Sequence, residues 1–332
     1  MKIVTRNISR HTGSALLVVL WAVLILAFAV AMVSHQVALR MGDTAIEVRR
    51  FQAQLLADSA LASMDRISKE SKADASPFPI TWRSKAFELA GGSYRLEFQD
   101  EQGRIHWLKT PSPVWHRLLT DAGVSPEQTD SWLDALADWQ DGDDARRLNG
   151  AETTDYETVM QDRRRARNSP IQNAGELCWV MGGPAILDIK IKTAPDADPV
   201  PITAISTTHG DGKININTAP AALLAAALAI PMERAVQLAR LRSGPDGIQG
   251  TADDVTWTGI PAGTVAGAFV VTSSTLFRVR GVGEFQGQIV VREALASKWI
   301  GSGFVLLDEP HTVEEKSHAA ASARSQFDEG TR

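Results

Sequence analysis

The sequence predicts an α+β chain: one long N-terminal helix that starts in lipid, an antiparallel sheet packed on it, and a large all-α insertion. Three observations carry this. Every residue from Ala15 to Val33 is apolar. Strand-like alternation occurs near residues 92–109 and again after 268. Between those two regions the spacing is helical, so strands early and late enclose a helical excursion. The chain has 332 residues, with 34 Lys+Arg against 39 Asp+Glu and 44% hydrophobic residues. That composition is far from a disordered polymer and supplies more than one core. A net charge of -5 gives no basic face for phosphate, so nucleic acid is disfavoured as a partner. The single Cys178 supplies neither a disulfide nor a thiolate zinc site.

The apolar run, read as a helix, is ~28 Å long and matches the hydrocarbon slab. Lys2, Arg6 and Arg10 precede it with no acid among them, which places the N-terminus in the cytoplasm and the bulk of the chain outside. A cleaved signal peptide is the alternative, with Ala27-Phe28-Ala29 a suitable small-residue triplet. Beyond Val33, the residues Val37, Met41, Ala45, Val48, Phe51 and Leu55 recur at steps of three and four. No proline stands between Ser14 and Ser76, so span and stripe read as one helix ending before Pro77. An anchor followed by a separate surface helix is the other reading, with Gly42 as its joint.

Tyr94, Leu96 and Phe98 alternate with polar residues, Asp100 to Gly103 supplies turn chemistry, and Ile105 and Trp107 resume the alternation, which reads as a hairpin. Helical spacing follows over Val114 to Ala122 and Pro126 to Trp139, with Ser125 as cap and Pro126 at the first helical position. The stretch from Asp138 to Tyr156 is acidic and turn-rich. A Pro, Ala, Asp, Thr and Gly-rich connector over 193–213 leads into Lys213-Ile-Asn-Ile-Asn-Thr-Ala-Pro220 and two alanine-leucine helices. Strands over Phe269 to Thr272, Leu276 to Arg280 and Gln288 to Glu293 are joined by a glycine turn, Gly281 to Gly287. From Asp308 onward the chain reads as a disordered tail.

Gly13-Ser14 after a short basic leader, at the head of a long apolar helix, resembles the processing signal of type IV pilins and type II secretion pseudopilins. The resemblance implies cleavage by a prepilin peptidase between Gly13 and Ser14, methylation of the new amine, and a pilin-like sheet. Most members carry glutamate at the fifth mature position, and Val18 stands there in this chain. Its absence, with the acidic stretch and the Ile-Asn-Ile-Asn-Thr-Ala string, resembles protein K, the largest minor pseudopilin. That implies a non-enzymatic subunit of the type II secretion system at the pseudopilus tip, with partner pseudopilins of the I and J type and the inner-membrane assembly platform.

The organisation implied is a leader (1–13), a transmembrane and amphipathic pilin helix (14–76), the first part of the sheet domain (77–110), a first helical module (111–210), a second, SAM-like module (211–268), the C-terminal strands (269–305) and a tail (306–332). The rival reading is a membrane-anchored helix-hairpin-helix receptor for DNA uptake, since the same string resembles the start of such modules. Against it, the turn Ala229-Ile230-Pro231-Met232-Glu233 lacks glycine and carries an acid where phosphate would approach. No metalloprotease motif, nucleophile elbow or phosphate loop occurs, so no enzyme is expected. Calcium is the one ligand expected, on the glycine-flexed loop holding Asp246, Asp253 and Asp254, with an ordinary solvated turn as the alternative.

Overall fold

The computed structural model describes residues 12–70, 81–159, 165–245, 254–261, 267–298 and 303–313. Helix α1 (Thr12–Ala62) runs without interruption through Gly42, so the anchor and the stripe are one rod. At Ser63 the chain leaves helical geometry for one residue, although its N–H still reaches the carbonyl of Ser59, and α2 (Met64–Glu70) continues. Residues 71–76, the rest of the expected helix, lie outside the described residues. From Leu16 to Val33 the apolar side chains are exposed, which among the described helices makes α1 the one long and apolar enough to cross a membrane.

The sheet is antiparallel. Its central strands are β3 (Gly92–Asp100), β10 (Leu276–Phe285) and β11 (Gln288–Lys298), in that spatial order. Strands β1 (Thr81–Arg83) and β2 (Phe87–Leu89) pair with the outer side of β3; β12 (Phe304–Leu306) and β13 (His311–Val313) pair with the outer side of β11. The register places Phe98 opposite Val279 and Val279 opposite Ala294, so one face carries Tyr94, Leu96, Phe98, Phe277, Val279 and Ala296. That face packs on Leu56, Ala60, Leu61, Met64 and Ile67. The buried edge of the rod therefore begins at Ala53, one turn above most of the Val37 to Leu55 stripe, whose large members are exposed.

Two glycines set the depth of this contact. A Cβ on Gly281 would lie 2.1 Å from the carbonyl oxygen of Ala57, and one on Gly283 would lie 2.0 Å from that of Ala53. Both belong to β10, which corrects the expectation of a turn over Gly281 to Gly287. The turn is Gln286-Gly287, both in the left-handed region with φ of 46° and 80°, where a two-residue hairpin requires positive φ. Alternate glycines in a strand signal a close approach on one face, and here it is the rod's backbone. Arg292 Nε to Asp58 Oδ1 (3.0 Å) and the Phe304 N–H to Asp65 Oδ1 (2.6 Å) fasten the same face from its far side.

The expected hairpin over 92–109 does not form. After Asp100 the chain leaves the sheet, and β4 (Ile105–His106) pairs in parallel with β7 (Ser206–Thr207). Trp107 is the reason: its indole stacks on Trp115 (5.1 Å between centroids), and Trp132 stands edge-on to both. Burying three indoles outweighs a short strand pairing. Around them stand α3 (Ser112–Asp121), α4 (Pro126–Asp138), α5 (Thr153–Val159) and α6 (Gly183–Leu187). The Ser125 cap forms a full capping box with Gln128.

Strands β5 (Lys190–Ile191) and β6 (Val200–Pro201) make a small ladder, and β8 (Ile214–Asn215) pairs in parallel with β9 (Val270–Val271). Helix α7 (Ala221–Leu228) is buried on every side, and α8 (Met232–Arg242) lies against it. Residues of 111–210 and of 211–268 share one hydrophobic core. Past Leu306, where a tail was expected, β13 still pairs with β11, because its backbone completes the ladder at Val291 to Glu293; residues 314–332 lie outside the described residues.

Gly283→Ala and Gly281→Ala should each destabilise the protein by about 2–3 kcal/mol, since the added methyl meets helix backbone that cannot move alone. Gly287→Asn, in open space and at a φ asparagine tolerates, should change little. Denaturant midpoints of the detergent-solubilised chain measure the difference.

Candidate functional site

The first candidate surface is the rod itself. Gly13 and Ser14 lie in the first turn of α1, and Val18 follows one turn on, exposed. Above the apolar run, Val37, Met41, Val48 and Phe51 are exposed, and Val37, Met41, Ala45 and Val48 line an open groove of about 680 Å³ completed by Arg40, Arg49, Phe285 and Gln286. The β10–β11 turn thus overhangs the stripe just where the rod meets the sheet. Apolar residues in such a row are a helix-docking surface.

The second candidate follows α4. Asp138 ends that helix fully buried and accepts hydrogen bonds from the Arg147 backbone N–H (3.1 Å) and from its guanidinium. Gly150 sits directly on this carboxylate; a Cβ there would lie 1.9 Å from Oδ2. Asn149 is held by Asp134, and the Glu152 N–H donates to Asp155 Oδ2 (2.9 Å), which in turn pairs with Arg146. The loop so folded brings one carboxylate oxygen each from Asp141, Asp143 and Glu152 within 4.8 Å of one another.

Glu152 is buried, and neither of its oxygens has a hydrogen-bond partner among the described residues; Asp141 Oδ1 is in the same state. Burial pushes the Glu152 carboxyl upward, and Asp138, Asp141, Asp144 and Asp143 push it further. A buried carboxylate facing other carboxylates is costly unless a cation stands among them. Oxygens on a hard ion at ~2.3–2.6 Å lie within about 5 Å of each other, so this donor set fits calcium. Arg147 already serves Asp138 and Asp141 from one side, and its own pKa is raised by them.

The calcium ligands expected from sequence lie elsewhere. Asp246 and Asp253 fall outside the described residues, and Asp254 is half-buried in 254–261. The signal that points to the loop after α4 is Asp141-Gly142-Asp143, two oxygen donors about a flexible residue, with Glu152 returning past Gly150. Only the fold brings Glu152 back.

The Ile-Asn-Ile-Asn-Thr-Ala string offers nothing to DNA. Asn215, Asn217 and Thr218 are buried, and the nearby base, Arg242, is buried with its guanidinium on the carbonyls of Ile216 and Ala219. Burial without an acid partner lowers that arginine to about 10.

Residues 100–187 match the family described as Type II secretion system (T2SS), protein K. The chain carries a protein K domain. It begins at Asp100, where β3 ends, and takes in the tryptophan core, the acidic loop and α6. The fold extends the likeness: a chain in the crystal structure of the GspK-GspI-GspJ complex from the enterotoxigenic Escherichia coli Type 2 Secretion System matches with a TM-score of 0.57. The match covers 82% of this chain and all of that one, at 16% identity, so it is a likeness of fold. No curated protein matches the chain. The recognition of a protein K pseudopilin from its sequence therefore stands, on the domain and on the architecture of long helix, antiparallel sheet and helical insertion.

The raised Glu152 carboxyl makes a pH dependence. An acid whose folded pKa lies above its unfolded value contributes stability below the unfolded pKa and loses it as pH rises through the folded one. In chelator, the wild type should lose stability relative to Glu152→Gln as pH increases from 4 to 7. Thermal melts of the two proteins in parallel at each pH report that difference free of the other acids.

Proposed function

We propose that this chain is a non-enzymatic structural subunit at the tip of a type II secretion pseudopilus, assembling with pseudopilins of the I and J type. The observation that supports it best is the pairing of a bulky helical head with a bare rod: among the described residues nothing covers Val37, Met41, Val48 and Phe51 of the stripe. The protein K domain gives the system, and the structure it resembles in fold is a complex with I and J subunits. Val18 fits the same position. A subunit with no neighbour above it has no free amine to meet a carboxylate in lipid, so an apolar side chain costs less there.

In this reading Lys2, Arg6 and Arg10 hold the leader in the cytoplasm, the prepilin peptidase cuts between Gly13 and Ser14, and the head lies in the periplasm. The groove of Val37, Met41, Ala45 and Val48 takes a neighbouring helix. Asp141, Asp143 and Glu152 hold a calcium ion, which neutralises the buried carboxylates and pins the loop. With no disulfide available, such an ion is a periplasmic staple.

Mass spectrometry of the membrane-extracted protein should find Ser14 at the N-terminus; an intact Met1, or a start after Ala29, would refute the processing. The extracted protein should also bring down two smaller pilin-like chains, and Met41→Glu with Val48→Glu should lose them while leaving the melt of the head unchanged. Retention of both partners by that double variant would remove the groove from the interface. Calcium at 100 times its dissociation constant should stabilise the wild type by about 2.7 kcal/mol and leave Glu152→Gln nearly unaffected.

A further inference from the structure

The string over 214–219 is the most specific internal motif of the sequence, and neither the rod nor the acidic loop uses it. Its side chains converge on Asp100, the last residue of β3, which is fully buried. Asp100 Oδ1 accepts the Gln102 backbone N–H at 2.8 Å. Oδ2 accepts from Asn215 Nδ2 (3.1 Å), Thr218 Oγ1 (2.5 Å) and Ser274 Oγ (2.6 Å). These donors lie on three strands of chain crossing between head and sheet: the exit after β3, the string at β8, and the return into β10.

Neighbouring bonds repeat the pattern. The Asn215 N–H donates to the Gln102 carbonyl (2.6 Å), and Gln102 Oε1 accepts the Thr275 N–H (2.7 Å). Asn217 binds the carbonyls of Trp257 and Thr272 through its amide nitrogen and accepts the Trp257 N–H at its oxygen. Glu101, one residue on, points to the opposite face of the strand and does the same with charge. It accepts from Thr207 and Arg104 of the head and from Arg278 of β10.

We propose that Asp100 is the pin of a buried clasp that locks the helical head to the sheet as one rigid body, and that Asn215, Thr218 and Ser274 exist to engage it. The donor set specifies two acceptor oxygens. Each accepts an N–H that can only donate, Gln102 on one and Asn215 on the other, so an amide nitrogen in place of either oxygen opposes a donor. Burial raises the carboxyl, and the four donors pull it back in part. A buried polar group of this kind is a poor source of stability; its use is to specify one arrangement. Because the partners stand 115, 118 and 174 residues away, the pin is satisfied only when head and sheet are docked in register.

The test is hydrogen exchange of the full-length protein in detergent, comparing wild type with Thr218→Val plus Ser274→Ala, which preserve volume. Amides of 214–218 and 270–275 should exchange about tenfold faster or more, the effect of two lost hydrogen bonds of ordinary strength, with α3, α4 and the β10–β11 ladder unchanged. Asp100→Asn should give the same local pattern, and its melt should separate into two transitions. Unchanged exchange at both segments would overturn the clasp. So would a uniform acceleration that includes α3 and α4, because that reports ordinary loss of stability.

Discussion

The rod meets the sheet backbone to backbone. Ala53 and Ala57 present their carbonyls to Gly281 and Gly283, with no side chain between on the strand side. Everything else is placed by that contact. Because the glycines alternate along β10, they form a shallow trough, and the small alanines of the helix are spaced to drop into it one turn apart. The larger residues then fall to either side: Leu56, Leu61 and Met64 reach Leu96, Phe98 and Phe277, and burying each contributes about 1.5–3 kcal/mol. A bulkier strand would hold the helix off, and the aromatic cluster of Phe98, Phe277 and Phe304 would lose its lid.

The head depends on the sheet in a different way. It has its own apolar core, built on three tryptophans, and touches the sheet mainly through polar groups that are buried and paired. Asp100, Glu101, Arg104 and Arg278 form this boundary, with Glu293 of β11 holding Arg278 from within the sheet. Glu101 and Glu293 are held below the usual carboxylate range by their arginines, against the opposing effect of burial. Apolar contacts tolerate sliding, whereas a carboxylate with four donors does not. The two halves are thus joined for orientation more than for stability.

Much of this was legible in the sequence, and the failures have physical causes. The unbroken helix, the strands at both ends of the excursion and the cap at Ser125 follow from local signals that the fold leaves intact. Pairing partners do not. Residues 92–109 alternate like a hairpin, but Trp107 is drawn into a core that includes residues more than a hundred positions away. Gly281 and Gly283 carry turn chemistry in isolation and prove to be clearance for a helix. The buried edge at Ala53, Ala57 and Ala60 is made of small residues, so periodicity in large apolar side chains points instead to the exposed stripe. The acidic cluster was visible as composition, while the convergence of Glu152 on Asp141 and Asp143 needed the loop to close on Asp138.

The continuity of α1 through Gly42 has a geometric corollary. Between Ser34 and Ala53 the helix is the sole connection, ~28 Å of a screw with a fixed pitch. Height and compass bearing of the head over the lipid segment are therefore not independent. One residue added to that stretch would lift the head by ~1.5 Å and swing it by about 100°, so the length of this spacer fixes which side of the head faces any given neighbour.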